Sequence, residues 1–263
     1  MSFAFHHNKP IYFQHQYLNT KENIIPYLEQ YTSITEGMQV MEIGCAEGGV
    51  LKAFVEKGCK CTGIELSQSK IDNANKFMSD EVAQGYIALI CSDIYDIDFE
   101  TKYSHTFDLI VLKDTIEHIH NQDRLMAQLQ KLLKVNGRIF LGFPPWASAW
   151  GGHQQICKSK VLMYMPWFHL LPVKWYKKLL LLMGETESKI NELMEIKETG
   201  ISTVRFEKIL KKYNYSILNR QYYFINPIYK YKFGIKGIKL NPLFQKIPLL
   251  NDIMSTTVYY IVN

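Results

Sequence analysis

The sequence contains too little glycine and proline, too few long apolar runs and too few clustered basic residues for several large classes of protein. Its 263 residues include only 15 glycines and 9 prolines, too few for a collagen-like or low-complexity chain. Its purely apolar runs, such as residues 179–183, are much too short to span a bilayer. Lysine and arginine form no long block or dense stripe behind the net charge of +5, so we expect no nucleic-acid partner.

Cysteine is also scarce, and its pattern excludes two kinds of structure. There are five cysteines, an odd number, and the pair Cys59 and Cys61 has no second pair that would complete a zinc knuckle. The first ten residues lack the cationic and apolar regions of a secretory signal. We therefore expect reduced thiols in a cytoplasmic protein.

The remaining composition is that of a globular protein, with 47% hydrophobic and 21% charged residues. Five apolar strands end near residues 43, 65, 91, 112 and 143, and helical patterns separate them. This alternation predicts an α/β fold with a doubly wound parallel sheet and helices on both faces. We expect a helical N-terminal segment over residues 1–36, a core over 37–143, an inserted helical and aromatic cap over 144–200, and a C-terminal helix and strand pair over 201–263.

The first strand leads into a glycine-rich turn. Val40 to Val50 read as strand, turn and helix, an arrangement in which the backbone can approach a ligand closely. Gly44, Ala46 and Gly49 could form a degenerate dinucleotide fingerprint. Glu42, however, would repel a pyrophosphate and would pair well with a ligand ammonium group.

Acidic residues follow the next two strands. Glu65 ends the second strand, where a carboxylate can accept hydrogen bonds from both ribose hydroxyls. Asp93 follows the third strand, where an acid can accept from an adenine amino group. Each signal is weak alone, but their order and spacing make them strong together.

With these motifs, residues 38–143 resemble class I S-adenosylmethionine-dependent methyltransferases. The resemblance implies a Rossmann-like, seven-stranded, mostly parallel sheet with an antiparallel final strand, and S-adenosylmethionine as the cofactor. It also implies that Glu42 holds the methionine ammonium, Glu65 the ribose, and Asp93 and Ile94 the adenine. The full set of expected cofactor-binding residues is Glu42, Gly44, Cys45, Ala46, Gly48, Glu65, Leu66, Asp93, Ile94 and Lys113.

A second group of candidate residues follows strand four. If a helix begins near Asp114, then Asp114, Glu117 and His118 share one of its faces. His153, in a glycine-flanked loop after strand five, could join them at the same edge of the sheet. Two carboxylates and two imidazoles could hold Mg²⁺, Mn²⁺ or Zn²⁺.

This second group resembles the O-methyltransferases of ubiquinone biosynthesis and the small-RNA 2′-O-methyltransferases. That resemblance implies Asp114, Glu117, His118 and His153 as metal ligands. Two alternatives stay open: the first is a general base, His153 or His118, that acts without a metal, and the second is a His118 that only lines the cofactor pocket.

The segment 161–183 is rich in apolar and aromatic residues. Its second half also contains Lys174, Lys177 and Lys178. It could be a cap packed over the sheet, or an amphipathic element that contacts a membrane surface. The tyrosine-rich segment 222–239 could add pocket wall or edge packing.

The function predicted from these motifs is O-methylation of a small or lipophilic hydroxylated acceptor. The sequence Phe143-Pro144-Pro145-Trp146 lacks the amide or acid of amino-methylating enzymes, so nucleic-acid N-methylation is disfavoured. The alternatives are an RNA or protein methyltransferase, a non-catalytic S-adenosylmethionine-binding protein and, last, a nicotinamide oxidoreductase.

Overall fold

The computed structural model describes residues 8–263, so residues 1–7 of the expected N-terminal segment lie outside it. A single sheet forms the centre of the fold. Its strands are β1 (Gln39–Ile43), β2 (Lys60–Glu65), β3 (Ile87–Cys91), β4 (Phe107–Lys113), β5 (Leu133–Phe143), β6 (Ile217–Ile225), β7 (Ile238–Lys239) and β8 (Thr257–Val262).

The strand order is β3-β2-β1-β4-β5-β8-β6-β7, and β1 to β5 are parallel. Strand β8 lies antiparallel between β5 and β6, as expected for the final strand. The expected number of seven strands is wrong, because the structure has eight among its described residues. The additional strand β7 pairs with the edge strand β6 through only Ile238 and Lys239, too short a segment to show a strand pattern.

Helices connect the strands and cover both faces of the sheet. They are α1 (Lys9–Asn19), α2 (Ile25–Leu28), α3 (Gly49–Val55), α4 (Gln68–Phe77), α5 (Ser79–Ala83), α6 (Ile97–Lys102), α7 (Gln122–Leu132), α8 (Lys160–Tyr164), α9 (Val173–Leu182), α10 (Glu187–Thr199), α11 (Thr203–Lys212), α12 (Tyr229–Phe233), α13 (Pro242–Gln245) and α14 (Leu250–Met254).

The N-terminal helices begin at Lys9, close to the first described residue. The Asn8 side chain caps α1 by accepting a hydrogen bond from the amide of Ile11, and Pro10 stands in the first turn, where a proline costs no helical hydrogen bond. A π-helical turn, Thr20–Ile24, joins α1 to α2. The chain is therefore helical from Lys9 to Leu28.

Two hydrophobic cores lie on opposite faces of the sheet. On one face α7 and α11 bury Leu129 and Phe206 against strand residues such as Ile110. On the other face α2 and α3 bury Leu28 and Phe54. The apolar strands therefore have both faces covered, which is typical of a doubly wound parallel sheet.

The inserted cap has a small core of its own. Cys157, Leu162, Phe168, Tyr176 and Leu193 pack together between α8, α9 and α10. The His169 imidazole is buried and makes a 2.8 Å hydrogen bond to the carbonyl oxygen of Trp146, so it anchors the cap to the end of β5. Across residues 8–263, no helix combines the length and apolar character needed to cross a bilayer.

Candidate active site

The candidate site lies at the carboxyl ends of β1 and β4, where the strand order reverses. Crevices at such switch points bind ligands in open α/β sheets. A cavity of about 190 Å³ opens there. Of the expected cofactor residues, those that line it are Glu42, Gly44, Cys45, Ala46 and Lys113.

Glu42 has the properties expected of a group that binds an ammonium ion. Its side chain is buried and its Oε2 atom has no hydrogen-bond partner in the structure. Burial raises the pKa of the carboxyl well above its usual range, although the nearby Lys113 opposes the shift. A ligand ammonium would satisfy the unpaired oxygen and stabilise the ionised carboxylate.

Glu65 holds the glycine-rich turn in place. The amides of Ala46 and Ser67 donate hydrogen bonds of 3.2 and 3.1 Å to its two carboxylate oxygens, and Lys70 lies 3.4 Å away. The carboxylate therefore connects the end of β2 with the turn after β1.

The other expected residues do not line this cavity. Leu66 follows Glu65 and is exposed. Asp93 accepts a 2.9 Å hydrogen bond from the amide of Tyr95, and Ile94 is buried. Gly48 has a left-handed backbone at the start of α3. The structure thus brings these residues to the same edge of the sheet as Glu42.

Helix α1 covers this first cavity, which the sequence patterns did not indicate. Tyr12, Phe13 and Gln16 line the cavity from above. The helix packs directly on the turn, because a Cβ on Gly49 would overlap the carbonyl oxygen of Phe13. The one signal in the sequence is the run of aromatic residues between Tyr12 and Tyr17, more than a short solvent-exposed helix needs.

The segment after β4 is not the helix that was expected to begin near Asp114. Asp114 has a left-handed backbone with φ of 53°, and Ile116–His118 form a single 3-10 turn. The carboxylate of Asp114 forms an ion pair with the buried Lys113. The helical spacing that was to place Asp114 on one face with Glu117 and His118 is therefore absent.

Three of the four expected metal-ligating residues do come together. Among the described residues, Glu117, His118 and His153 offer ligand atoms that all lie within 4.8 Å of one another, and Asp114 is not part of this group. The imidazole rings of His118 and His153 stack with centroids 4.9 Å apart and an angle of 10° between planes. Both oxygens of Glu117 are buried without a hydrogen-bond partner.

The charges of this group follow from its burial. Burial, and then Asp114, raise the pKa of Glu117 well above its usual range. Burial, and then His118, lower the pKa of His153 to about 3, and burial also lowers the pKa of His118. The two imidazoles are therefore neutral at physiological pH, the form in which histidine binds metals.

A second cavity of about 350 Å³ adjoins the first, and Asp114 lines both. The cap and α12 supply mainly apolar and aromatic walls, and His153 faces this cavity while His118 faces the first. The wall residues are Pro144, Ser148, Trp150, His153, Gln155, Met163, Tyr164, Asn226, Ile228, Tyr229, Lys232, Phe233, Ile235 and Thr256. The segment 222–239 thus supplies both pocket wall, through Tyr229, and packing, through the buried Tyr222 and Tyr223.

This arrangement, a glycine-rich turn with acids at successive strand ends beside a second cavity, can be compared with known proteins. Residues 13–171 match the family model described as a methyltransferase domain. The chain belongs to this methyltransferase family. Its fold and the motifs at the ends of β1 and β2 are those of a class I S-adenosylmethionine-dependent methyltransferase.

Relatives of known sequence include two enzymes with different acceptors. The chain is 30% identical to the ubiquinone biosynthesis O-methyltransferase of Coxiella burnetii over 116 residues, 44% of this chain and 47% of that one. It is 23% identical to the sterol 4-C-methyltransferase of Caenorhabditis elegans over 115 residues, 44% of this chain and 34% of that one. The chain thus spans half or less of the length of these relatives.

Solved structures share the fold over most of the chain. A geranyl diphosphate methyltransferase in complex with S-adenosylmethionine has a TM-score of 0.54 and 13% identity, over 91% of this chain and 84% of that one. The PH0226 protein of Pyrococcus horikoshii has a TM-score of 0.55 and 13% identity, over 94% and 90% of the two chains. At this identity the similarity concerns the fold.

Proposed function

We propose that this methyltransferase transfers the methyl group to a hydroxyl of a lipophilic acceptor. The observation that carries the proposal is the junction of the two cavities. Asp114 lines both, and the stacked pair of His118 and His153 has one ring facing each cavity. An acceptor in the larger cavity would present its hydroxyl at this junction, next to the cofactor.

The size and lining of the larger cavity support a lipophilic acceptor. A volume of about 350 Å³ suits a ring system with a short apolar substituent. Trp150, Tyr164, Tyr229 and Phe233 contribute flat apolar surfaces, whereas Ser148 and Asn226 supply few polar contacts. The similarity to a ubiquinone-biosynthesis O-methyltransferase agrees with such an acceptor.

Methyl transfer itself is an in-line displacement at the sulfonium methyl, so the protein must align the acceptor oxygen and remove its proton. His153 alone is a weak base, because its pKa of about 3 leaves little driving force for accepting a proton. This favours an additional positive charge that would acidify the hydroxyl.

A divalent cation held by Glu117, His118 and His153 would supply that charge. The residues fit such an ion, since both oxygens of Glu117 and the Nδ1 atom of His153 are buried without partners. One carboxylate and two neutral imidazoles suit Zn²⁺ or Mn²⁺ and admit Mg²⁺. In this proposal Asp114 stays paired with Lys113 where the two cavities meet, and it does not bind the ion.

The outer surface of the cap supports contact with a membrane. Around α8 and α9 it exposes large apolar side chains, among them Val161, Tyr164, Trp167, Trp175 and Leu182. Residues 144–184 carry five lysines and no acidic residue. Lysine ammonium groups beside exposed aromatic rings favour binding to a negatively charged lipid surface.

A second segment with the same character borders the larger cavity. Residues 228–251 also carry five lysines and no acidic residue. Their exposed apolar side chains are Phe233, Ile235, Ile238, Leu243, Phe244, Ile247 and Leu249. Because both segments supply wall residues to this cavity, we propose that together they dock on an anionic bilayer and receive the acceptor from it.

The test of the acceptor class uses methyl-labelled S-adenosylmethionine and total cell extract. We expect the label in the lipophilic fraction, as an ether that resists alkaline hydrolysis. In the control variant Met163→Trp, the added ring fills the larger cavity, so label transfer should stop while cofactor binding remains. Label in RNA or protein would overturn the proposal, and so would lack of transfer to any fraction.

A further inference from the structure

Gln16 is a polar residue that is buried in the roof that α1 forms over the first cavity. Its side-chain nitrogen Nε2 donates a 2.8 Å hydrogen bond to the hydroxyl of Tyr12, one turn earlier on the same helix. Its side-chain oxygen Oε1 is also buried, and it accepts no hydrogen bond from the described residues. Since the bond to Tyr12 uses the nitrogen, the oxygen is the atom of Gln16 that is left for a ligand.

Contacts at both ends of α1 fix this roof over the cavity. Near the start of the helix, the ammonium of Lys9 lies 2.7 Å from the carboxylate of Glu47 in the glycine-rich turn. Near its end, the hydroxyl of Tyr231 in α12 donates hydrogen bonds to Glu22, at 2.7 Å, and to the carbonyl oxygen of Leu18, at 3.3 Å. The side chains on the inner face of α1 therefore belong to the wall of the cavity.

The lysines in the same wall already have acidic partners. Lys113 forms an ion pair with Asp114, and the Nζ atom of Lys70 lies 3.4 Å from a carboxylate oxygen of Glu65. Neither lysine donates a hydrogen bond to the oxygen of Gln16. The protein thus provides no cationic partner for this oxygen among the described residues.

Two buried side-chain oxygens in the described wall have neither a hydrogen bond nor an ion pair, and they are Oε2 of Glu42 and Oε1 of Gln16. Glu42 belongs to β1 and Gln16 to α1, and both line one cavity of about 190 Å³. Folded proteins rarely leave such acceptors unpaired, because taking them out of water costs free energy unless a donor replaces the water. Both oxygens are therefore available to a donor that a ligand brings.

An ammonium group has three N–H donors, so that one such group can bond to two acceptors. A hydroxyl has a single donor, and a carboxylate has none. We propose that Gln16 is a cofactor-binding residue that binds, together with Glu42, the ammonium group of S-adenosylmethionine. The roof of the cavity then takes part in recognising the cofactor. This inference concerns the cofactor and is independent of the acceptor proposed above.

The test uses two matched probes, S-adenosylhomocysteine and its deaminated analogue, in which a hydrogen atom replaces the amino group of the homocysteine moiety. Calorimetry with the full chain measures the affinity for each probe. We expect the wild type to prefer S-adenosylhomocysteine about a hundredfold, because each of two charge-assisted hydrogen bonds contributes about tenfold. Gln16→Leu should reduce the preference to about tenfold and leave the affinity for the deaminated analogue unchanged.

Two further variants separate ligand binding from packing. Gln16→Glu keeps an acceptor oxygen at the same position, so it should retain the preference of the wild type. Gln30→Leu is the control, because the Gln30 side chain is exposed, donates to the carbonyl oxygen of Pro26 and does not line the cavity. It should leave the affinities for both probes unchanged.

Equal losses for the two probes in Gln16→Leu would overturn the inference, because Gln16 would then support the roof or bind another part of the cofactor. A wild type that binds both probes equally, or a Gln16→Leu protein that keeps the full preference, would also overturn it. These outcomes would leave O-methylation standing. Conversely, methyl label in RNA or protein would overturn the proposed acceptor and leave the role of Gln16 intact.

Discussion

Gly49 lies directly beneath Phe13, so closely that a Cβ on the glycine would overlap the Phe13 carbonyl oxygen and stand 3.0 Å from the Cβ of Gln16. Gly49→Ala should therefore push α1 away from the glycine-rich turn. We expect a loss of about 1–3 kcal/mol in the free energy of unfolding, as in other overpacked sites, and weaker cofactor binding. Urea denaturation and calorimetry measure the two effects, and unchanged values for both would show that α1 does not depend on this contact.

Glu65→Gln should weaken S-adenosylmethionine binding about tenfold or more. The substitution removes the charge that the ribose hydroxyls and the amide of Ala46 would share, and a charge-assisted hydrogen bond contributes about 1.5–3 kcal/mol. Glu29→Gln is the control, since Glu29 forms only a surface ion pair with Lys57. Equal affinity for the wild-type and Glu65→Gln proteins in calorimetry would contradict the ribose assignment.

Glu117→Gln should stabilise the protein when metal and cofactor are absent. Because the folded-state pKa of Glu117 is raised, its contribution to stability is present below the unfolded-state pKa and is lost as the pH rises through the folded-state value. The amide does not titrate. The variant should therefore match the wild type at acid pH, where the Glu117 carboxyl is protonated in both the folded and the unfolded state, and exceed it in stability as the pH rises.

Urea denaturation in the presence of a chelator measures this difference at each pH. Glu195→Gln provides a matched control, because the Glu195 side chain is mostly exposed. If Glu117→Gln is less stable than the wild type at every pH, Glu117 has a structural partner that the proposed metal site does not include.

Chelation should abolish methyl transfer and leave S-adenosylmethionine binding nearly unchanged. Glu117→Ala and His153→Ala should each have the same effect as chelation, and their losses should not add when the two are combined, because each removes the same ion. His120→Ala should retain activity, since His120 is exposed and contacts only Glu195 in the described structure. Full activity after exhaustive chelation would rule out the metal and leave His118 and His153 as candidates for a metal-free base.

The fluorescence of Trp175 should report docking on a membrane. In a variant that keeps Trp175 as its only tryptophan, we expect the emission to shift to shorter wavelength with vesicles rich in phosphatidylglycerol, because the exposed ring enters an apolar environment. A variant that keeps only Trp146, which packs against His169, should not respond. Replacing Lys236, Lys239 and Lys246 by serine should weaken the response, and a shift of equal size with neutral vesicles would contradict an electrostatic contribution.

Much of the fold could be predicted from local sequence. The apolar strands that carry Glu42 and Glu65, together with the glycines between them, predict a parallel sheet and the edge at which these acids lie, because each signal lies within a few residues. The contact between Phe13 and Gly49 could not be predicted in this way. It joins distant parts of the chain and depends on how α1 docks.

The metal-binding candidates show the limit of spacing arguments. The helical period was the wrong basis, since Asp114 has a left-handed backbone and the following turn is of the 3-10 type. Glu117 and His118 nevertheless meet His153, because the loops after neighbouring parallel strands β4 and β5 emerge at the same edge of the sheet. The sheet topology, and not a helical spacing, therefore accounts for the group formed by Glu117, His118 and His153.

The hydrogen bonds between Tyr231 and the N-terminal segment join the wall of the larger cavity to the roof of the first cavity. We therefore expect a ligand that shifts either element to change the free energy of the other, so that the two binding equilibria are thermodynamically linked. Such linkage is reciprocal: the factor by which bound cofactor tightens the acceptor is the factor by which bound acceptor tightens the cofactor. We expect the hydrogen bonds of Tyr231 to help keep the cofactor and the acceptor bound together until the methyl group has been transferred.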